Sequence, residues 1–311
     1  MPVSSNPTLL VTGGSGHLGR RVLELLLQNT KSHIITTTRH PEKMADFAAR
    51  GVEVRKADHD DPASLPAAYA GAQRMLIIAS DSVGRRAEQV RHVVAAAEAA
   101  GVKHVCYTSS TSPEPSADHP IENDHFWSEL AIMSSKLSWT ILRHAMWQEH
   151  LYLFLPTAVA TGLLLSTMGD AGMSYVTRED CAHTDVAALI SDFTGCRILD
   201  VTGPAVVTHD ELAALASEFS GRPVKHVQGT PEEIIPRLVA NGLPEGMAIG
   251  IVEFEQIARK GYFKVVASTV KDLTGRDPES VRSYISRTRA DLLPDKEGRV
   301  RIDVHMARPV D

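Results

Sequence analysis

The sequence predicts an α/β fold: a Rossmann-type, doubly wound parallel sheet followed by a smaller C-terminal mixed α/β domain. Three observations predict it. A glycine-rich turn, Thr12-Gly13-Gly14-Ser15-Gly16-His17-Leu18-Gly19, directly follows a short apolar run. Apolar runs without alternation then recur between helical segments, as in strands buried on both faces. After position 145 that rhythm loosens.

The elements follow in order. Thr8 to Thr12 reads as the first strand, and Leu18, Val22, Leu25 and Leu26 recur at helical spacing behind the turn. His33 to Thr38, Val52 to Lys56, Met75 to Ser80, His104 to Thr108 and Trp139 to Arg143 supply five more strands. Helices are expected from Pro41 to Gly51, after the Asp61-Pro62 cap, over 84–100 and over 122–135, with a loop over 109–120. Alternation of this kind implies a parallel sheet of about six strands, helices on both faces. Thr208 with Glu211 and Thr230 with Glu233 are capping boxes that start helices near 209–220 and 231–241. The division that follows is 1–150, then 151–288 with segments free to return to the first sheet, then a charged tail over 289–311.

Bulk composition narrows the function classes. The 311 residues carry a net charge of −6, with scattered basic residues, which does not suit a nucleic-acid binder. Three cysteines, Cys106, Cys181 and Cys196, form no CxxC and read as small buried hydrophobes, so neither a disulfide framework nor a metal site is expected. No apolar run approaches the ~18 residues of a membrane span, and no signal segment precedes the first strand. The expectation is a cytoplasmic protein with a small-molecule substrate and no membrane or nucleic-acid partner. A homodimer is left open.

The glycine turn carries the strongest chemistry. A strand that turns sharply into a helix can lay its backbone against a pyrophosphate, which meets the free N–H groups and positive dipole end of the helix. Glycines are needed for the turn, for that close approach and for packing helix on strand. The strand-turn-helix context separates this turn from a purely structural one. Thr12 through Gly19 are therefore the first candidate dinucleotide contacts. An NAD-binding domain usually places an acid at the end of the second strand, on the ribose 2′-hydroxyl. Here Thr36-Thr37-Thr38-Arg39 holds none, and Arg39 suits a 2′-phosphate through bidentate bonds. His40 and Lys43 add positive charge. The cofactor expected is NADP(H). In Ala57-Asp58-His59-Asp60-Asp61, Asp58 can accept from an adenine amino group, with His59 beside it, or can serve the next helix start. Ala79, Ser80 and Asp81 at the fourth strand end, and Thr108 and Ser109 at the fifth, border the expected crevice.

These residues resemble the atypical short-chain dehydrogenase/reductases of the NmrA-like group, which includes NADPH:quinone oxidoreductases and triphenylmethane reductases. The resemblance runs from about residue 8 to about residue 285. It rests on TGGSGHLG, RHPEK with Arg39, ADHDD at 57–61, LIIAS at 76–80, AAGVKHVCYTSS at 99–110, His125 with Glu129, WTILR at 139–143 and TREDCAHTDVA at 177–187. It implies a Rossmann domain with a smaller substrate domain, and a cofactor lying along Gly13, Ser15 to Leu18, Arg39, Asp58 and Ala79 to Asp81. The sequence departs from the group at His144-Ala145, where relatives often carry Pro-Gly or Asn-Gly. It departs again at Leu130, where some carry lysine.

Short-chain dehydrogenases usually pair Tyr with Lys four residues later. None of the six tyrosines here has a lysine at that spacing. Two readings remain. One is an NADPH-dependent oxidoreductase acting on a small aromatic, quinone-like or carbonyl substrate without the dyad. The other is an NADP(H)-sensing regulatory protein that does no chemistry and works through protein contacts. For the enzyme, His125 helped by Ser110 is the candidate proton source. His144, Met146, Trp147 and Tyr175, with Phe154, are candidate walls of a substrate pocket; the alternatives are a helix cap for His125 and plain core for the aromatics. A His125 acid would make turnover fall as pH rises through ~6.5.

Overall fold

The computed structural model describes residues 6–116 and 119–292. The first half alternates strictly: β1 (Leu9–Thr12), α1 (His17–Asn29), β2 (Ile34–Thr38), α2 (Ala45–Ala48), β3 (Glu53–Lys56), α3 (Leu65–Tyr69), β4 (Arg74–Ile77), α4 (Arg86–Ala100), β5 (His104–Ser110), α5 (Pro120–Met133) and β6 (Ser138–His144). The segment behind Pro41 is shorter than a single helix over 41–51. It is a 3₁₀ turn, Pro41–Met44, joined to the four-residue α2, and Gly51 ends it at φ +91°. The fifth strand runs past Thr108 through Ser110, because both serines keep pairing with Arg143 and His144 of β6.

The second half adds β7 (Met146–Trp147), α6 (Leu155–Thr161), β8 (Leu163–Ser166), β9 (Gly172–Val176), α7 (Arg178–Ile190), β10 (Cys196–Val201), β11 (Val206–Thr208), α8 (His209–Ser220), β12 (Lys225–Gln228), α9 (Pro231–Ala240), α10 (Glu245–Arg259), α11 (Thr269–Thr274), α12 (Val281–Arg287) and α13 (Arg289–Leu292). Thr208 and Thr230 form both capping boxes with Glu211 and Glu233. Of the tail expected over 289–311, only α13 lies within the described residues.

The main sheet has seven strands in the order β10-β6-β5-β4-β1-β2-β3, one more than the sequence reading counted. Every pair in it is parallel. The added strand, β10, pairs with β6 from Trp139–Cys196 to His144–Val201. Its short apolar run is broken by Arg197 and Asp200 and is largely exposed or half-buried, and that hid it among the buried runs. The same exposure corrects the reading of Cys196, which is exposed, whereas Cys106 and Cys181 are buried.

Two faces of the sheet are covered by different layers. On one, Leu9 and Val11 meet Val22, Leu25 and Leu26 of α1 together with Val186 and Leu189 of α7. On the other, Leu10, Ile35, Tyr107 and Ile141 meet Val90, Val93 and Ala97 of α4 and Ile132 of α5. Each fully buried Leu or Val contributes ~1.5–3 kcal/mol of apolar burial. Polar ties fix α7 in place: Arg21 of α1 forks onto Glu179 at 2.7 and 2.6 Å, and Thr177 caps the helix start. A second core gathers Leu151, Leu155, Met173, Tyr175, Leu212, Ile257 and Ile285.

Candidate active site

The carboxyl ends of the parallel strands bring the candidate residues to one edge of the sheet. At the β1 end, the glycines divide the work. Gly13 sits at φ +64°, a left-handed conformation that side chains disfavour. A Cβ on Gly14 would come within 1.9 Å of Thr36 Oγ1, and one on Gly19 within 2.3 Å of the Gly13 carbonyl oxygen. These two glycines let the turn lie against β2 and α1. Gly16 is different. A Cβ there would meet only the Gly13 oxygen, at 3.4 Å, so space rather than protein lies over it. Gly16 also starts α1 without a side-chain cap, and no acid stands in the first turn. The positive end of α1 is thus left without an internal anion, which fits a pyrophosphate.

The neighbouring strand end fits a 2′-phosphate. Thr38 donates to Ser15 Oγ at 3.1 Å and accepts from the His40 N–H at 3.1 Å, tying the glycine turn to the Arg39 loop. Arg39 is exposed and makes no hydrogen bond or ion pair among the described residues. The nearby acids are already engaged: Asp46 pairs with Arg20, and Glu42 with His40. His59 is half-buried. Burial lowers its pKa, and the Arg39 charge lowers it further against Asp58 and Asp60. Its ring is held neutral beside the free guanidinium. The Asp58 carboxylate closes its own turn, accepting from the Asp60 N–H at 3.0 Å.

Several predicted contacts are supports instead. The Thr12 hydroxyl accepts from the Ile78 N–H at 3.0 Å, and that of Thr108 from the Ala79 N–H at 2.9 Å. Both fix where the chain leaves β4. Ser80 donates to Gln89, which donates to Asp60 at 2.9 Å, so its hydroxyl joins β4 to α4 and the acidic loop. Asp81 is exposed. The Ser109 hydroxyl donates to buried Glu129 at 2.7 Å, and Arg143 forks onto the same carboxylate at 2.9 and 2.6 Å. A cofactor contact at Ser109 is therefore left to its backbone.

The candidate proton source is deeply set. His125, on α5, is only 7% exposed. Its Nδ1 lies 3.0 Å from the Tyr107 hydroxyl, and its Nε2 lies 3.5 Å from Arg86 Nη1. Burial, with help from the Arg86 and His144 charges, pushes its pKa down to about 3. The imidazolium that would titrate near 6.5 is absent at neutral pH, which corrects the expected pH dependence. Ser110 is half-buried, and the register sets it opposite His144. His144 is buried, its Nε2 bonded at 2.9 Å to Asp185 of α7.

The expected pocket walls separate. Met146 and Trp147 form β7 and are half-buried. Arg178 stacks on Trp147 with its Cζ 4.7 Å from the ring centroid. Tyr175 is 1% exposed and belongs to the second core with Phe154 at its margin, so it is packing rather than an open wall. Sequence reasoning missed Tyr107, Arg86 and Asp185. A tyrosine hydroxyl inside a fully buried strand needs a partner on the helix packed over it, which was the one available signal for Tyr107. No group of His, Cys, Asp and Glu among the described residues could hold a metal ion.

The comparisons with known proteins agree with this geometry. The NAD(P)H-binding family profile matches residues 13–192. Quinone oxidoreductase 2 of Escherichia coli is 31% identical over 283 residues, 89% of this chain and 97% of that protein. The solved E. coli NADPH-dependent quinone oxidoreductase in complex with NADPH superposes with a TM-score of 0.84 at 29% identity, covering 90% of this chain and 99% of that one. Triphenylmethane reductase of Citrobacter sp. with NADP(H) gives a TM-score of 0.82 at 28% identity, over 90% and 99% of the two chains.

Proposed function

The chain belongs to the NAD(P)H-binding family, and from that premise we propose NADPH-dependent reduction of a small, electron-poor aromatic or quinone-like acceptor. One observation carries the acceptor class: His125, the best-placed candidate acid, is a buried neutral imidazole. A weak internal acid suits an acceptor that delocalises its own negative charge better than it suits a plain carbonyl. The names of the relatives, a quinone oxidoreductase and a triphenylmethane reductase, support the same class.

The bound nicotinamide supplies the hydride. In this reading Gly16 and the open start of α1 bind the pyrophosphate, and Arg39 binds the 2′-phosphate. Ser110 donates to the oxygen that gains charge, and His125 does so through an Nε2–H, which requires Tyr107 to donate to Nδ1 and Arg86 to turn off Nε2 when the acceptor binds. Met146 and Trp147 flank the acceptor and exclude water. No helix among the described residues is long and apolar enough to cross a membrane. A cytoplasmic site of action and a homodimer stay part of the proposal, to be read by cell fractionation and by sedimentation.

The test is direct. The protein is mixed with NADPH and a panel of quinones, cationic dyes, aldehydes and conjugated ketones, and nicotinamide absorbance is followed. Quinones or dyes should be reduced fastest. A protein that binds NADPH yet reduces none of them acts as a cofactor sensor, and the proposal is lost.

A further inference from the structure

The opposite, amino-terminal edge of the sheet holds a cleft of about 740 Å³, formed where β4, β5 and β6 begin. Arg74, Lys103, His104 and Lys136 line it, with Glu98 as the one acid of the lining. Glu98 is tied to the Lys136 N–H at 2.7 Å. Arg74 is 7% exposed and makes no ion pair among the described residues. Two of its five N–H groups cap the end of α7, bonding the carbonyls of Leu189 and Ala188 at 2.7 and 3.4 Å, and a third bonds the Phe193 carbonyl just past it at 3.0 Å. The helix end offsets only about half a charge. Two N–H groups remain, and the Asp192 carboxylate acts on the guanidinium only from beyond ion-pair distance.

His104 supplies an independent observation. It is 1% exposed, and its Nδ1 is buried without a hydrogen-bond partner among the described residues. Arg197 Nε donates to Thr140 Oγ1 at 3.3 Å, so the Thr140 hydroxyl can give its own proton to His104 Nε2, 3.1 Å away. Burial and the Arg74 and Arg197 charges hold His104 down to about 4, so the ring is neutral. With Thr140 as the donor, the single proton of the ring sits on Nδ1. A buried N–H donor without an acceptor is costly, and a buried cation without a contacting counter-ion more so.

We propose that this cleft binds a small oxyanion, a phosphate ester or a carboxylate, between Arg74, the His104 Nδ1–H and the Lys103 and Lys136 ammonium groups. An oxyanion satisfies the orphaned donor and meets the guanidinium where solvent screening is weak. The site is separate from the cofactor crevice, since it lies at the other ends of the same strands.

The test uses the full chain labelled with ¹⁵N-histidine and saturated with NADP⁺, so that added anions cannot occupy the pyrophosphate site. Inorganic phosphate and malonate are titrated separately at constant ionic strength. One imidazole, absent from the spectrum of His104→Gln, should shift saturably. A lower dissociation constant for phosphate assigns a phosphate ester, and a lower one for malonate assigns a carboxylate. The exposed pair Lys103→Ser and Lys136→Ser, whose loss leaves the core intact, should weaken binding ~tenfold or more, the size of one charge-assisted hydrogen bond. No saturable shift with either anion, or an unchanged constant in the lysine double variant, overturns the proposal. NADPH turnover does not enter the readout, so failure of the reductase reading leaves this one standing.

Discussion

The Tyr107 hydroxyl and the His125 Nδ1 lie 3.0 Å apart, both in side chains almost closed to water. Burial, with the Arg86 and His144 charges, makes the histidine a neutral group rather than a titrating acid, and the Tyr107 contact fixes its ring. Turnover on the best acceptor should therefore show no inflection near pH ~6.5, the ordinary histidine value. Loss of this hydrogen-bond donor in His125→Ala should lower kcat ~10²-fold or more while leaving the NADPH dissociation constant unchanged. Tyr107→Phe should lower kcat less, because the ring stays but loses its orienting bond. A His125→Ala enzyme with native kcat would remove His125 from the acceptor site.

Burial has a second, global consequence. His104, His150 and His209 are held down to about 4, and His125 to about 3, whereas each takes a proton near 6.5 once unfolded. The unfolded chain thus binds more protons than the folded one between pH 6.5 and 4. Stability contributed by these groups is present above 6.5 and is lost as pH falls through that window, by up to ~1.4 kcal/mol per pH unit for each proton. Glu255 acts with the opposite sign: burial raises it to about 7, so its contribution is lost as pH rises through that value. Melting temperature should decline steeply from pH 6.5 downward, and His209→Gln should flatten the decline if the variant folds. A melting temperature that stays level down to pH 5 would contradict the burial argument.

Arg39 should set cofactor choice. Charge-assisted bonds to a 2′-phosphate favour NADPH by ~1.5–3 kcal/mol, roughly 10- to 150-fold in affinity. Arg39→Asp replaces that attraction with repulsion and should bring the NADPH constant to or above the NADH constant. Fluorescence titration of both cofactors reads it. Equal affinities in the native protein would remove Arg39 from the site.

The glycines should separate binding from folding. Gly16→Val places a side chain in open space and should abolish NADPH titration with an unchanged circular dichroism spectrum. Gly14→Val drives a side chain into Thr36 and should lower the melting temperature as well. If both variants lost only binding, the assignment of open space to Gly16 alone would be wrong.

How much of this was readable from sequence follows from how local each feature is. The TGGSGHLG turn, Arg39 after β2 and the capping boxes at Thr208 and Thr230 are contiguous patterns with one physical purpose each. Five other strands of the main sheet announced themselves as apolar or β-branched runs, and β3 by the Val52 and Val54 alternation after Gly51. β10 did not, because Arg197 and Asp200 interrupt its short apolar run and no strand-helix rhythm leads up to it. Tyr107 and His125 are 18 positions apart, and His144 and Asp185 are 41 apart. Such pairs depend on which helix lies over which strand, and no local spacing encodes that. The protonation of His125 was misread for the same reason: only the packing of α5 determines how dry it is.

The strand that closes the sheet comes from residues 196–201, and the helix over its first face from residues 178–190. A chain cut near residue 150 would keep the glycine turn and Arg39 yet leave β6 with a bare row of backbone donors and acceptors, and α1 with an uncovered apolar stripe. Such an edge recruits other strands, so the shortened chain should aggregate. On the ribosome the cofactor half must also wait for about fifty further residues before its sheet can close, a delay of several seconds at ~5–20 residues per second. Whatever guards the nascent protein must hold β6 apart from its neighbours for that interval.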